Sequence, residues 1–297
     1  MGKTQPYHIV GIDGGGSGCR VRVANRQNSE LGAATGGPAN FATDPQQTLR
    51  NVQEAVARAL ALASLTEAQV NLCVAHVGLA GILRQSDADA VAAGLPFSRC
   101  KVTDDRLTSV TGALGTSDGT LLAIGTGTFV AVRQNSDIRY FGGWGLPLAD
   151  QASGAWLGRE ALKHCLLVND GLERETDLTR TLLSRFDNDP NTLVAFAGNA
   201  QPSDYAVFGP TVVEAAKNGD ETGLALMARG TGYLKSCLDA ATLSDDDVIC
   251  LTGGIGPHYA PYFDRAYRDR IVPARGTALD GAMQLALQNI ARLEISA

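Results

Sequence analysis

Three glycine-rich loops hold the residues of this sequence that are best suited to contact a phosphate group. They lie at residues 13–18, 125–128 and 253–256, and each follows an apolar run that predicts a buried strand. Glycine permits positive φ and lets backbone N–H groups surround a phosphate without obstruction by side chains. One such loop would be a weak indication, because glycine turns between strands are common. Three of them in one chain predict a nucleotide site.

The position of these loops separates them from the more common nucleotide motifs. In a Rossmann fold or a P-loop, the glycine run opens a helix whose N-terminus holds the phosphate. Here the first two loops lead into a second strand instead, at 19–25 and 129–133. The segment Gly2-Lys3-Thr4 resembles the end of a Walker A motif, but no strand or loop precedes it. We interpret it as a chance match or a cloning remnant.

The strand–loop–strand pattern occurs twice, which predicts two α/β domains. The predicted strands of the two halves lie at 6–12, 19–25, 31–34, 72–77, 101–103, 120–124, 129–133 and 248–251. Asp44-Pro45 begins a helix, with Asp44 as its N-cap. Glycines interrupt the pattern at 115–119, so we place the domains at 1–115 and 116–297. We expect the last helix, at about 281–293, to cross back to the first domain.

A strand–glycine–strand hairpin with Asp13 at the end of its first strand resembles the phosphate-binding hairpin of the actin, hexokinase and Hsp70 superfamily. The resemblance covers nearly the whole chain. More narrowly, segments 36–40, 78–81 and 142–154 resemble the N-acetylglucosamine and glucosamine kinase branch of the BadF/BadG/BcrA/BcrD ATPase family. This resemblance implies an α/β fold of two actin-like (ribonuclease H-like) domains with ATP in the cleft between them. It also implies a homodimer.

The same resemblance implies a role for each matching residue. Asp13 would hold Mg²⁺ through water, and Asp105 would be the catalytic base that receives a proton from the 6-hydroxyl of an amino sugar. Contacts to the ATP phosphates are implied for Gly15, Gly16, Ser17, Thr126 and Gly127, and contacts to adenosine for Gly253 and Gly254. Contacts to the sugar are implied for Asn40, Asp105, Gly127, Asp150 and Gly154. The substrates would be Mg-ATP and N-acetylglucosamine or glucosamine.

Elementary chemistry is compatible with these roles and leaves simpler ones open. Phosphoryl transfer needs positioning and neutralisation of charge, and a carboxylate can orient the attacking hydroxyl. Asp104 and Asp105 could both be helix caps, and we expect Asp104 to be the cap and Asp105 to be available. Asp150 could equally cap a helix at 152–166, and Asn40 could be only a turn residue.

Two positions depart from the family pattern. Gln151 stands where a glutamate often occurs, and Ala80 stands where some relatives have a hydroxyl. Both departures affect the identity of the sugar more than the type of reaction. The four histidines lack metal-ligand spacing, and we expect them to be structural. Trp144 and Trp156 are predicted to be core residues.

Composition restricts the partners. A formal net charge of −6 disfavours nucleic acid or an anionic membrane as the main partner. No apolar run approaches the roughly 18 residues of a spanning helix, and the N-terminus lacks the apolar segment of a signal peptide. The six cysteines are scattered without a CxxC pair. We therefore expect a cytoplasmic protein with reduced thiols.

Two other functions remain as alternatives to the kinase. One is an ATPase activator of a 2-hydroxyacyl-CoA dehydratase type of system, which would need cysteines that bind an iron–sulfur cluster. None of the six cysteines lies in a convincing cluster loop. The other is a non-enzymatic ATP-dependent clamp, for which 297 residues leave no appended peptide-binding segment. A zinc-containing sugar kinase would need a cysteine and histidine pattern that this chain lacks.

Overall fold

Two α/β units make up the part of the chain that a computed structural model describes, namely residues 8–135, 137–241, 243–244 and 247–295. The first unit takes the chain up to Thr116 and again from Ala274, and the second unit is Ser117–Pro273. The segment Gly2-Lys3-Thr4 and the start of the strand predicted at 6–12 lie outside the described residues.

The strands are β1 (Ile9–Gly15), β2 (Gly18–Ala24), β3 (Glu30–Gly36), β4 (Val74–Leu79), β5 (Arg99–Asp104), β6 (Gly119–Ile124), β7 (Thr128–Gln134), β8 (Asp137–Gly142) and β9 (Ile249–Thr252). The helices are α1 (Pro45–Ala63), α2 (Glu67–Asn71), α3 (Gln85–Ala93), α4 (Asp105–Leu114), α5 (Gly154–Asn169), α6 (Asp177–Ser184), α7 (Pro190–Ala197), α8 (Pro202–Ala206), α9 (Gly209–Lys217), α10 (Glu221–Ala241), α11 (Arg265–Arg268) and α12 (Ala278–Ile295). A 3₁₀ helix lies at Gly256–Tyr262.

The sheet of the first unit has the strand order β3-β2-β1-β4-β5. Strands β1, β4 and β5 are parallel, whereas β2 and β3 are antiparallel to their neighbours. Gly14 is in register with Leu79, and Leu79 is in register with Asp104. The carboxyl ends of the three parallel strands therefore lie at one edge, which places the first glycine loop beside the start of α4.

Helices cover both faces of this sheet. Alternate residues of β1, such as Val10 and Ile12, are fully buried in the core that contains residues of α1. The helix α1 begins as predicted, because Asp44 accepts a hydrogen bond from the Gln47 N–H and Pro45 follows it. On the other face, Ile9 packs with Met283 of α12. The C-terminal helix thus completes the core of the first unit.

The second unit has a four-stranded sheet in the order β8-β7-β6-β9, with β6 and β9 parallel. Its core joins this sheet to the helices α5, α6, α9 and α10. Strand β8 is an element that the sequence analysis did not include. It pairs antiparallel with β7 and delivers the chain into the segment 142–154.

Several predicted elements differ in detail from the observed ones. The helix expected at 152–166 is α5, which begins at Gly154 with Ser153 as its N-cap. The prediction that both tryptophans are core residues is half wrong. Trp156 is buried, but Trp144 is 76% exposed because glycines with positive φ turn its segment away from the core. Among the described residues, no helix combines the length and the apolar character needed to cross a membrane.

Candidate active site

The first glycine loop is the turn of a β-hairpin. Strands β1 and β2 pair up to Gly15 and Gly18, so only Gly16 and Ser17 form the turn, and both are exposed. A Cβ atom on Gly15 or Gly16 would meet nothing within 4 Å, and neither glycine has a positive φ. Neither packing nor backbone conformation therefore requires glycine at these two positions. A ligand that approaches the backbone closely would require it.

Asp13 lies immediately before this turn and is 7% exposed. Its Oδ2 atom accepts a hydrogen bond of 2.8 Å from Nη2 of Arg20, the residue opposite it in the hairpin. Burial raises the pKa of Asp13 above its ordinary value, and the guanidinium of Arg20 opposes part of that rise. The sequence analysis did not identify Arg20, although the alternation of apolar and polar residues in strand 19–25 could have indicated it.

Asp104 and Asp105 have different environments. The carboxylate of Asp104 accepts hydrogen bonds from the backbone N–H groups of Arg106 and Leu107, and it forms an ion pair of 2.6 Å with the Arg106 side chain. Asp104 is therefore the N-cap of α4, as expected. Asp105 is the first residue of the helix, and none of the ion pairs among the described residues includes its carboxylate.

The electrostatic environment of Asp105 favours its protonated form. Burial raises the pKa of its carboxyl group to about 7, and the negative charges of Asp104 and Asp13 act in the same direction. Arg106 opposes them. A carboxyl group with a pKa near neutrality can exchange a proton with a hydroxyl group at physiological pH, and such groups cluster at functional sites.

Asn40 lies beside the first glycine loop. The N–H of Ala39 donates to the Gly15 carbonyl over 2.8 Å, and Asn40 forms an isolated bridge with Ala80. The Asn40 side chain also makes a turn, since its Oδ1 accepts from the Ala42 N–H over 3.1 Å. Asn40 is therefore a turn residue through its side-chain oxygen.

In the second unit, Asp150 is the centre of a network around the second glycine loop. It is buried, and burial raises the pKa of its carboxyl group, while the nearby backbone N–H groups of Thr128 and Gly145 oppose the rise. A Cβ atom on Gly127 would lie only 2.9 Å from Asp150 Oδ2. Asp150 is not a helix cap, because Ser153 has that role.

The third glycine loop and the start of α5 meet the second loop. The N–H of Gly154 donates to the Gly125 carbonyl over 2.8 Å, and the N–H of Ala155 donates to the Thr126 carbonyl over 3.3 Å. Gly253 has φ of +82°, and a Cβ atom there would overlap the Ile124 carbonyl. By contrast, Gly254 has open space beside it, as Gly125 does.

The structure thus assembles the candidate residues in two groups, one in each unit. Within the first unit, strand order places the hairpin residues, Asn40 and Asp105 along one sheet edge. Within the second unit, backbone hydrogen bonds join Thr126, Gly127, Asp150, Gly154 and the loop at 253–256. Each group combines open glycine backbone with at least one buried carboxylate.

The residues of the first group fit a magnesium ion that is bound mainly by a nucleotide. Magnesium in phosphoryl-transfer sites keeps several waters and uses one or two carboxylates beside the substrate phosphates. Asp13 supplies one buried carboxylate, and Arg20 engages only its Oδ2 atom. Among the described residues, no group of three or more His, Cys, Asp or Glu side chains forms an all-protein cage.

Comparison with solved structures identifies the class of fold. The chain is similar to a candidate N-acetylglucosamine kinase from Chromobacterium violaceum, with a TM-score of 0.88, 29% identity and coverage of 95% of this chain and 99% of the other. It shares its fold with a ROK family glucokinase from Streptomyces griseus, with a TM-score of 0.56, 16% identity and coverage of 96% and 99%. The predicted fold class of two actin-like α/β domains is confirmed.

Comparison of sequences gives the family. The model of the BadF/BadG/BcrA/BcrD ATPase family matches residues 10–263. The chain belongs to this family. A curated relative, the glucosamine kinase of Vibrio cholerae, is 28% identical over 280 residues, which cover 94% of this chain and 95% of that protein.

Proposed function

We propose that this protein is an ATP-dependent kinase that phosphorylates an amino sugar, either glucosamine or N-acetylglucosamine, at the 6-hydroxyl group. The observation that carries the proposal is the state of Asp105. Its neighbour Asp104 caps the helix and binds Arg106, while the Asp105 carboxyl group has a pKa of about 7. Membership of an ATPase family and the similarity to amino-sugar kinases support the same reaction.

In this proposal Asp105 orients the acceptor hydroxyl and takes its proton as the phosphoryl group is transferred. The backbone at Gly15, Gly16 and Ser17 and at Thr126 and Gly127 binds the ATP phosphates, where open glycine backbone lets N–H groups approach the anion. Asp13 holds Mg²⁺ through water, and the ion would neutralise phosphate charge.

The remaining residues bind the acceptor and the nucleoside. Asn40, Asp150, Gly127 and Gly154 would contact the sugar, Asn40 through its NH₂ group. Gly253 and Gly254 would pack against adenosine. In this arrangement Asp150 has two functions, because the carboxylate that contacts the sugar also lies against the backbone of Gly127.

The burial of the cysteines favours the kinase over the activator of a dehydratase. All six thiols are free, five are buried and Cys100 is partly buried. A cluster shared between two subunits needs several cysteines at an accessible surface, and here only Cys100 is partly accessible. We therefore do not advance the activator as a second function.

A coupled ADP-release assay tests the proposal. ATP and Mg²⁺ are supplied with glucosamine, N-acetylglucosamine, glucose or mannosamine, and the position of phosphorylation is read by phosphorus and carbon NMR. We expect ADP release that depends on one of the two named amino sugars and a product phosphorylated at carbon 6. ADP release at the same rate without any sugar would contradict the proposal.

A further inference from the structure

Tyr233 contacts the segment that carries Asp150, although it comes from a helix without any recognised motif. It lies on α10 and is half-buried. Its hydroxyl oxygen is 2.5 Å from the position that a Cβ atom on Gly142 would occupy. Gly142 is the last residue of β8 and has a φ of +71°. The phenol can approach so closely only because residue 142 lacks a side chain.

The Tyr233 hydroxyl is held in its protonated form. Burial raises its pKa, and the Cys237 side chain and the negative charge of Asp150 act in the same direction.

A short series of contacts leads from Gly142 to Asp150. Gly142 pairs with Phe129 in the β7–β8 ladder. The N–H of the next residue, Gly143, donates to the Thr128 carbonyl over 2.9 Å. Gly127, the residue before Thr128, lies against the Asp150 carboxylate, since a Cβ atom on Gly127 would be 2.9 Å from Asp150 Oδ2. A displacement of Gly142 would therefore move the strand end that lies beside Asp150.

We propose that Tyr233 is a positioning residue for the acceptor site, whose hydroxyl fixes Gly142 and thereby places the segment 142–150 with its buried carboxylate. This inference rests on the proposed kinase function, since Asp150 would bind the sugar. It assigns a role in acceptor affinity to a residue that is not among the proposed sugar and nucleotide contacts. The nucleotide contacts should be unaffected.

A double-mutant cycle tests the contact directly. In Gly142→Ala, the added methyl group meets the phenol oxygen at 2.5 Å. In the double variant with Tyr233→Phe, the nearest ring atom, Cζ, is 3.8 Å away, which is an ordinary contact. The phenylalanine should therefore relieve the clash and leave only the strain of alanine at a positive φ.

We expect Tyr233→Phe to raise the KM for the amino sugar about threefold, because it removes the oxygen atom that packs against Gly142. Gly142→Ala should raise this KM more than Tyr233→Phe does. The KM of the double variant should be about tenfold lower than the value expected if the two single effects simply multiplied. The KM for ATP should change little in each case. Tyr262→Phe, which removes the hydroxyl of another half-buried tyrosine in this unit, is the control and should leave both KM values unchanged.

A second measurement does not depend on the reaction. Trp144 lies in the segment 142–150 and is exposed, whereas Trp156, the other tryptophan of the chain, is buried. Acrylamide therefore quenches mainly Trp144 and reports on the position of this segment. Gly142→Ala should change the quenching constant, and the double variant should return it to the value of Tyr233→Phe.

The two measurements separate the possible failures. If the wild type phosphorylates no sugar, the proposed function is wrong, and quenching alone decides whether Tyr233 places the segment. If the wild type is active but Tyr233→Phe relieves neither the KM nor the quenching defect of Gly142→Ala, the positioning role is wrong. Equal changes in the KM for ATP and for the sugar would also overturn it.

Discussion

Arg20 and Asp13 lie directly opposite each other in the β1–β2 hairpin, with Nη2 of Arg20 2.8 Å from Oδ2 of Asp13. Opposite residues of an antiparallel ladder have their side chains on the same face. The hairpin that forms the first glycine loop therefore also supplies a cation to its own carboxylate. Asp13 has two possible functions, a contact to the metal and an ion pair with Arg20, and the two can be separated by experiment.

Asp13→Asn should reduce kcat by orders of magnitude at saturating Mg²⁺, whereas Arg20→Met should reduce it much less. The asparagine loses both the charge that the metal needs and the ion pair, but the methionine removes only the ion pair. The measurement is kcat as a function of Mg²⁺ concentration for both variants. Equal losses would show that Asp13 acts only through Arg20. If Asp13→Asn kept more than about a tenth of the activity, the loss of transition-state stabilisation would be less than roughly 1.4 kcal/mol, and Asp13 would not be a metal-site residue.

Asp105→Asn should lower kcat by roughly 10²–10⁴, the usual cost of a lost general base, with little change in sugar affinity. Asp104→Asn should keep kcat within about threefold of the wild type, because asparagine also caps helices and the partly exposed pair with Arg106 contributes little. Steady-state kinetics and calorimetric titration of the sugar give both quantities. If Asp104→Asn lost kcat and Asp105→Asn kept it, the roles assigned to the two aspartates would be exchanged. Near-normal kcat in both variants would contradict the aspartate-base mechanism.

Asp105→Asn should also stabilise the fold at alkaline pH. The pKa of Asp105 rises from 3.8 to about 7 on folding, so its contribution to stability is fully present below pH 4 and is lost as the pH rises through 7. The ionised group costs roughly 4 kcal/mol at pH 8, and asparagine removes that cost. Urea unfolding without nucleotide at pH 5 and pH 8 should show that Asp105→Asn gains stability over the wild type as the pH rises. A difference that does not change with pH would contradict the assigned environment.

Gly281→Ala should destabilise the first unit by roughly 1–3 kcal/mol, because overpacking forces two helices apart. A Cβ atom on Gly281 of α12 would overlap the Thr108 carbonyl of α4 and lie 2.6 Å from the Gly112 nitrogen. Gly232→Ala in α10 is the matched control. A Cβ atom there meets nothing within 4 Å, so alanine should stabilise the helix by up to about 1 kcal/mol. The unfolding temperatures (Tm) of the two variants should shift in opposite directions relative to the wild type. Equal shifts would contradict the close packing of α4 and α12.

Much of the architecture could be predicted from local sequence. The first two glycine loops joined strand to strand rather than strand to helix, which distinguished this fold from Rossmann and P-loop proteins. Asp44-Pro45 predicted the start of α1, because an N-cap and a proline at the first helical position act through neighbouring residues alone. Asp104 was recognised as a cap for the same reason.

Relationships between distant residues depended on tertiary structure. Strand β8 escaped prediction, and Trp144 was wrongly expected in the core because its exposure depends on positive φ angles in the glycines around it. The pKa of Asp105 depends on burial, on its sequence neighbour Asp104 and on Asp13, which β4 links to Asp105 by lying between β1 and β5. The sequence shows the charge of Asp104, but burial and the effect of Asp13 depend on the tertiary structure.

The sequence by itself therefore determined the class of fold, the glycine loops and the types of residue available for phosphoryl transfer, since these follow from short-range conformational preferences. The tertiary structure decided how deeply Asp105 is buried, which backbone groups surround Asp150 and why Tyr233 faces Gly142. Those features arise only when strand order and helix packing bring remote segments into contact.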